Sequence, residues 1–358
     1  MNSGGMTKRI IAAVSKYFGN IPGGLAVIAG ISAAIFAAIN GSAIATAVAI
    51  GAIMIPAMKE QKYDPAFSGA VVAAGGVVGP IIPPSIPVIL YGSITGASIP
   101  GLFMGGLTLG VLITLGHVIV SYCIGKKRGY YVKKGEKMAG VSPEDSKGVV
   151  WALLLIIFIM VTVSMGIFTA TESAAFSVVY AFVISKFVYK ELDLSNISEI
   201  FKKSMGSTAS VMAIVGSATA VAWVLSYNRV PQMVADFLLN YAQTKLQFML
   251  IVFVLLIIVG MIMDLTPANL ILAPIFITPV ATYGIDPIYF GVIFLAILTA
   301  GLITPPVGTL IYTSCSMTKT SFSRMSKALI PYIAVTYAVI LLAVLFPPII
   351  TFLPNLLK

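Results

Sequence analysis

Charge is scarce in this sequence: 9% of its 358 residues are Asp, Glu, Lys or Arg, while 59% are hydrophobic. A soluble domain carries about 25% charge, so a water-soluble globule is excluded and an integral membrane protein is indicated. Cysteine and histidine are almost absent, with two cysteines and one histidine. No metal-ligand spacing exists, and His117 alone does not anchor a transition metal; it reads as a packing or interfacial residue. Cys123 and Cys315 lie in apolar surroundings and read as packed thiols rather than a disulfide. There is no Gly-x4-Gly-Lys-Ser/Thr stretch for ATP hydrolysis and no pair of residues suited to an intramembrane protease dyad, so an enzyme is not supported. Nor is there a basic-then-apolar signal peptide pattern at the N-terminus.

The basic excess, a net charge of +10, is not a nucleic-acid signal. It is concentrated between apolar runs, as in Lys126-Lys127-Arg128 and Lys133-Lys134, where basic residues mark cytoplasmic loops. The runs themselves approach the ~20 residues that span a bilayer.

Inside one such run stands Gly79-Pro80-Ile81-Ile82-Pro83-Pro84-Ser85. A helix cannot pass through these prolines, because each lacks an N–H and its ring meets the carbonyl four residues back. A break in lipid is tolerated only where the freed backbone groups face protein, water or a ligand. Broken helices near the bilayer middle are where secondary transporters hold ions and substrate. The second half repeats the motif as Gly301-Leu302-Ile303-Thr304-Pro305-Pro306-Val307-Gly308. Asp64 precedes Pro83 by 19 residues, and Asp286 precedes Pro305 by the same 19.

Each break follows a hairpin. Two short apolar legs, 24–39 and 43–58, flank the polar tip Asn40-Gly41-Ser42; legs 247–262 and 268–283 flank the tip Met263 to Pro267. The expected architecture is an all-α integral membrane protein of inverted repeats, each with a re-entrant hairpin and a broken helix. Residues 1–125 form a first, incomplete repeat with hairpin 24–58 and broken helix 65–95; 126–148 is a cytoplasmic loop. Residues 149–358 form the second repeat, with hairpin 247–283 and broken helix 287–315. Surface helices are expected at 6–18, 196–205 (capped by Asn196) and 229–243, and spans at 102–124, 149–168, 171–190, 207–227 and 328–350. A turn at 96–101 and a basic segment at 319–327 complete the layout. With loop 126–148 cytoplasmic, the other basic clusters fall on the same side and the two hairpins enter from opposite faces. The two Pro-Pro breaks are then expected to face each other across a pseudo-two-fold axis in the membrane plane.

The tips differ by about 223 in numbering, so the three spans at 149–227 have no counterpart before residue 1. Either the repeats are unequal or about 75 upstream residues are missing; the second is the expectation, and the sequence as it stands is then not expected to transport, because the close-packed contacts of the absent scaffold spans have no substitute.

Tips and breaks together form two candidate ion sites, since orphan carbonyls at helix ends suit Na⁺ and exposed N–H ends suit carboxylates. The first comprises Asn40, Gly41 and Ser42 with Gly79, Pro80 and Ser85. The second comprises Asp264 and Thr266 with Thr304, Pro305 and Gly308. Asp264 is the sharpest single candidate, because an acidic group within a membrane segment is costly; alternatively it caps the second leg. Glu172 is a substrate-proximal candidate or an N-cap at the outer face. Arg229 either steers an anionic substrate or anchors the chain at the interface.

These residues carry a resemblance. Ile39 to Ala45, Gly79 to Pro87, Gly166 to Ala174 and Gly301 to Gly308 resemble the large membrane subunit of tripartite ATP-independent periplasmic (TRAP) transporters, and the resemblance runs over the whole chain. It implies Na⁺-driven uptake of an organic acid anion, C4-dicarboxylate or sialic-acid-like, across a bacterial or archaeal inner membrane by an elevator motion. It implies a small membrane subunit and a periplasmic substrate-binding protein as partners, no cofactor, and Na⁺ as the only metal. The sequence departs from the family pattern at Ala170, where proline is usual, and at Thr46, where an acidic residue is common. A stand-alone Na⁺/dicarboxylate symporter, a channel lined by the hairpin tips, and an inactive fragment are the alternatives.

Overall fold

The computed structural model describes residues 5–131, 146, 148–193, 195 and 197–356, apart from the side chain of Leu239. Lys133-Lys134, most of the loop 126–148, the Asn196 cap and the first four residues lie outside that range. No strand forms among the described residues, and seven helices are long and apolar enough to cross a membrane. The chain is an all-α integral membrane protein.

The helices of the first part are α1 (Met6–Phe18), α2 (Gly24–Asn40), α3 (Ala43–Glu60), α4 (Pro65–Val77), α5 (Ile86–Thr95) and α6 (Ile99–Arg128). Then follow α7 (Val149–Ser164), α8 (Ala170–Val183, continued by a π turn at Ile184–Val188) and α9 (Ile197–Tyr227). The rest are α10 (Val230–Tyr241), α11 (Lys245–Ile262), α12 (Leu265–Thr282), α13 (Pro287–Gly301), α14 (Thr309–Thr318), α15 (Phe322–Leu345) and α16 (Pro348–Leu356).

Local chemistry sets most of these boundaries. The turn between α2 and α3 needs Gly41 at φ 65°, a left-handed conformation that only glycine adopts without strain. Ser42 then accepts a hydrogen bond from the Ala45 N–H and opens α3. Asp64 and Asp286 cap α4 and α13 in the same way, each followed by a proline at the first helical position. Both helices end at their proline motif; Pro83-Pro84 and Pro305-Pro306 are each cis.

α4 and α13 form the centre of the molecule. Every residue from Ala66 to Val77 and from Tyr289 to Gly301 is buried. Small residues make this possible in α4: Gly75 lies against Ala33 of α2, and Gly76 against the Ala43 carbonyl of α3, so backbones approach closely.

Six helices recur in order. Ala43 and Leu265, which open α3 and α12, are 222 residues apart, as are Pro65 and Pro287, which open α4 and α13. α3 and α12 are each 18 residues long, and α5 and α14 each 10. The two sets exchange partners. α5 packs on α12, the second leg of the other hairpin, and α14 packs on α3; α4 packs on α15, and α13 on α6.

Several expected boundaries are corrected. The separate surface helix 196–205 and span 207–227 are one continuous helix, α9. Gly206 costs a helix only about 1 kcal/mol, and Ser207 Oγ bonds back to the Lys203 carbonyl at 3.1 Å, so nothing breaks the chain there. The second hairpin tip is shorter than expected, because Pro267 fits in the first turn of α12, where its missing N–H costs nothing. The turn 96–101 narrows, since Ser98 accepts from the Gly101 N–H and starts α6 at Ile99. At the other end α6 runs through the basic cluster to Arg128. Arg324 and Lys327 lie inside α15, not in a separate basic segment. Cys123 is exposed rather than packed.

Candidate functional site

The first hairpin tip sits directly on the first break. A Cβ added at Gly41 would lie 2.6 Å from the Pro84 carbonyl oxygen, and one at Gly79 would lie 2.8 Å from the Ser42 carbonyl. Glycine at both positions is what lets the two backbones touch. Around this contact the polar side chains are already organised. Ser85, 1% exposed, donates to the Pro80 carbonyl at 2.5 Å and caps α5 by accepting from the Val88 N–H. Asn40 Nδ2 donates to the buried Thr46 hydroxyl at 3.4 Å. The structure thus brings Asn40, Gly41 and Ser42 together with Gly79, Pro80 and Ser85, and adds Thr46 to the group.

The second tip meets the second break by the same kind of approach. The Val307 N–H, inside the break, donates to the Met261 carbonyl at the end of α11 at 3.2 Å. Just below, Gly260 and Gly301 bring two helix backbones into contact; a Cβ on Gly301 would overlap the Gly260 carbonyl. Gly308 opens α14 at φ 56°, beside the Thr304 carbonyl. Thr304, 8% exposed, donates to the Ala300 carbonyl at 2.8 Å and pairs with the Tyr337 hydroxyl at 3.1 Å. Pro305 is half-buried between them.

Of the two roles expected of Asp264, its hydrogen bonding shows the cap. It is an exposed N-cap, with Oδ1 accepting from the Leu265 N–H at 2.6 Å, not a buried carboxylate. It occupies the position equivalent to Ser42, 222 residues earlier, and does the same local work. Thr266 is half-buried in the first turn of α12.

Against the first tip lies a cavity of about 190 Å³. Asn40, Ser85 and Ile86 form one wall, and Ile159, Ala170 and Ala174 of α7 and α8 form part of the other. It is walled mainly by apolar side chains, with few polar groups, as ligand pockets are. Two helix N-termini open on it, those of α5 and α8, and such ends favour negative charge. The α8 end already carries a carboxylate. Glu172 Oε2 accepts from the Thr169 N–H and hydroxyl at 2.8 Å each, and the Glu172 N–H returns a bond to Thr169 Oγ1, a complete capping box. Glu172 is therefore an exposed cap beside the cavity and not part of its lining, and the α5 terminus is the less neutralised end. Arg229 does not reach this cavity; it stands exposed at φ 57°, just before α10.

Sequence reasoning missed the α7 and α8 wall and Asn269. Asn269 is fully buried in α12 and donates to the Pro87 carbonyl of α5 at 2.9 Å, joining the second hairpin to the first broken helix. An amide within an otherwise apolar hairpin leg was the available signal. The wall residues carry no such mark, because Ile159 and Ala174 look like any lipid-facing position.

A family model described as "Tripartite ATP-independent periplasmic transporter, DctM component" matches residues 1–349. The 2,3-diketo-L-gulonate TRAP transporter large permease protein YiaN of Escherichia coli is 33% identical over 350 residues, covering 98% of this chain and 82% of that protein. The sialic acid TRAP transporter large permease protein SiaM of Vibrio cholerae is 33% identical over 358 residues, 99% and 83% of the two chains. The C4-dicarboxylate TRAP transporter large permease protein DctM of Pseudomonas aeruginosa is 33% identical over 359 residues, with the same coverage. These are transport components, not enzymes, and the match runs through both tips, both breaks and the helices between them. The chain belongs to the DctM component family of tripartite ATP-independent periplasmic transporters.

Proposed function

We propose that this chain is the translocating membrane component of an Na⁺-coupled symporter for organic acid anions, located in an inner membrane. Na⁺ binds at the two tip–break junctions, through carbonyl and hydroxyl oxygens of the hard type such cations prefer. The anion binds in the cavity beside Asn40 and Ser85, its carboxylate toward the amino end of α5. A periplasmic binding protein delivers it, and a small membrane subunit completes the assembly. The two sets of recurring helices are inverted repeats about an axis in the membrane plane, and alternating access is an elevator movement of the hairpins and broken helices.

The observation that carries this reading is the direct seating of each polar hairpin tip on its own broken helix, next to a cavity flanked by a helix N-terminus. The relatives add chemistry: 2,3-diketo-L-gulonate, sialic acid and C4-dicarboxylates are all carboxylates. "Tripartite" and "periplasmic" in the family description support two further components, one of them outside the membrane.

The test is uptake of labelled organic acids into proteoliposomes holding the chain, with and without the upstream spans expected for the first repeat, together with its small-subunit partner and candidate binding proteins added outside. Uptake is expected only with a cognate binding protein and an inward Na⁺ gradient. Equal uptake with the Na⁺ gradient abolished would overturn the coupling. Equal uptake without any binding protein would point instead to a stand-alone carrier.

A further inference from the structure

A second cavity lies outside the transport site. It is a groove of about 410 Å³ between α8 and the first two turns of α9. Val178, Ala181 and Phe182 line one side, Ile200 and Phe201 the other, and Leu192 closes the end where the connecting segment crosses. α9 packs so lightly that Ala218 is its only buried residue among those described. The groove is therefore not filled by the protein's own core. The three hydroxyls of its lining, Ser177, Ser185 and Ser204, are spread over both helices and leave the walls mainly apolar, so the slot suits an acyl chain better than water.

The charge around the groove is lopsided. Lys186 directly follows the lining residue Ser185, and Lys202 and Lys203 directly follow Phe201. Lys190 stands at the end of the π turn with φ 55°. On the acidic side, Glu199 is bound to Lys203 at 2.6 Å, and Glu191 is bound to Arg9 of α1 at 2.7 Å. Asp193, whose Oδ1 accepts from the Ser195 N–H at 3.0 Å, lies within electrostatic reach of Lys186. Lys190 and Lys202 have no carboxylate partner among the described residues. Lysines next to an apolar slot extend their ammonium groups to the headgroup level while their stems stay in hydrocarbon.

We propose that this groove is a binding site for an anionic phospholipid, with one acyl chain between α8 and α9 and the phosphate among Lys186, Lys190 and Lys202. The apolar walls account for the chain, and the lysines, of which Lys190 and Lys202 have no carboxylate partner among the described residues, account for the headgroup. Basic pockets between membrane helices recognise acidic headgroups in this way. The groove also reaches the transport site: Ser177 lines both this groove and the 190 Å³ cavity. A lipid seated here would therefore brace α8 from behind.

The experiment is native mass spectrometry of the full chain in detergent, with phosphatidylglycerol or phosphatidylcholine of identical acyl chains. Retention of phosphatidylglycerol about tenfold above phosphatidylcholine is expected, from lysines that each favour an anionic surface. Ala181→Trp, which fills the slot, should remove at least one tightly retained lipid of either kind. The surface triple variant K186Q/K190Q/K202Q, which does not touch the packing, should keep lipid binding and lose the headgroup preference. Wild type that retains both lipids equally would overturn the proposal. So would an unchanged lipid count in the Ala181→Trp variant, the result if a helix of a second copy or of another membrane component fills the groove.

Discussion

The Asp64 carboxylate, at the start of the first broken helix, is held by the Arg324 guanidinium of α15, 260 residues away. Its other oxygen accepts from the Phe67 N–H at 2.9 Å, so one side chain caps α4 and ties it to the second half of the chain. The Tyr130 hydroxyl accepts from the Asp64 N–H at 3.0 Å, and Tyr63, Phe67 and Tyr130 stack beside it. Asp286 caps α13 equivalently through Ile288 and Tyr289, but no arginine meets it.

Burial alone raises the Asp64 pKa; the Phe67 N–H and the Arg324 guanidinium outweigh it, and the carboxyl titrates below its ordinary range. A folded-state pKa below the unfolded value means stability that is present above the unfolded pKa and lost as pH falls through the folded one. Wild type should therefore lose this contribution only below the usual carboxylate range. Arg324→Gln removes an ion pair half open to solvent and should cost about 0.2–1 kcal/mol. Asp64→Ala also removes the cap and should cost about 0.5–2 kcal/mol more. Thermal unfolding in detergent at neutral and acidic pH checks both; identical melting of Asp64→Ala and wild type at neutral pH would refute the assignment.

Gly41→Ala should disable the ion site proposed at the first tip–break junction. Alanine at φ 65° is strained by about 1–3 kcal/mol, and its Cβ would also press on the Pro84 carbonyl at 2.6 Å. Gly96→Ala is the control, since Gly96 has φ 72° but nothing within 4 Å of an added Cβ. Both variants should melt lower. If Na⁺ binds there, it should raise the wild-type melting temperature, and only Gly41→Ala should lose that rise; if Gly96→Ala loses it equally, the effect is backbone strain and not the tip–break contact.

Asp264→Asn should keep the fold, because asparagine caps a helix about as well as aspartate, yet it removes a negative charge from the second tip. Uptake measured against Na⁺ concentration should show a higher Na⁺ half-saturation with little change in melting temperature. An unchanged half-saturation would leave Asp264 as a cap alone.

Asn269→Leu keeps the branched side-chain shape in α12 but leaves the Pro87 carbonyl without its donor. A buried acceptor without a partner costs about 1–3 kcal/mol. The variant should melt lower, and protease or thiol probes at α5 should gain access. Wild-type stability would show that the α5–α12 seam rests on packing alone.

Much of the fold was written in single residues. Gly41, Asp64, Asp286 and the four prolines at 83–84 and 305–306 mark the turn, the caps and the breaks, because backbone conformation at glycine and proline is decided locally. The 19-residue spacing of Asp and Pro exposed the recurrence before any contact was known. Tertiary structure decided what local preference cannot reach. It left Arg229 away from the cavity, while Asp264 and Glu172 hold the capping positions that the sequence had offered as one of their two roles. It crossed the short helices, α5 to α12 and α14 to α3, with Asn269 sealing one of the crossings. In a membrane, lipid is as apolar as leucine, so hydrophobic pattern does not tell a helix which neighbour to choose; close fit and interhelical hydrogen bonds do, and these exist only once the chain has folded.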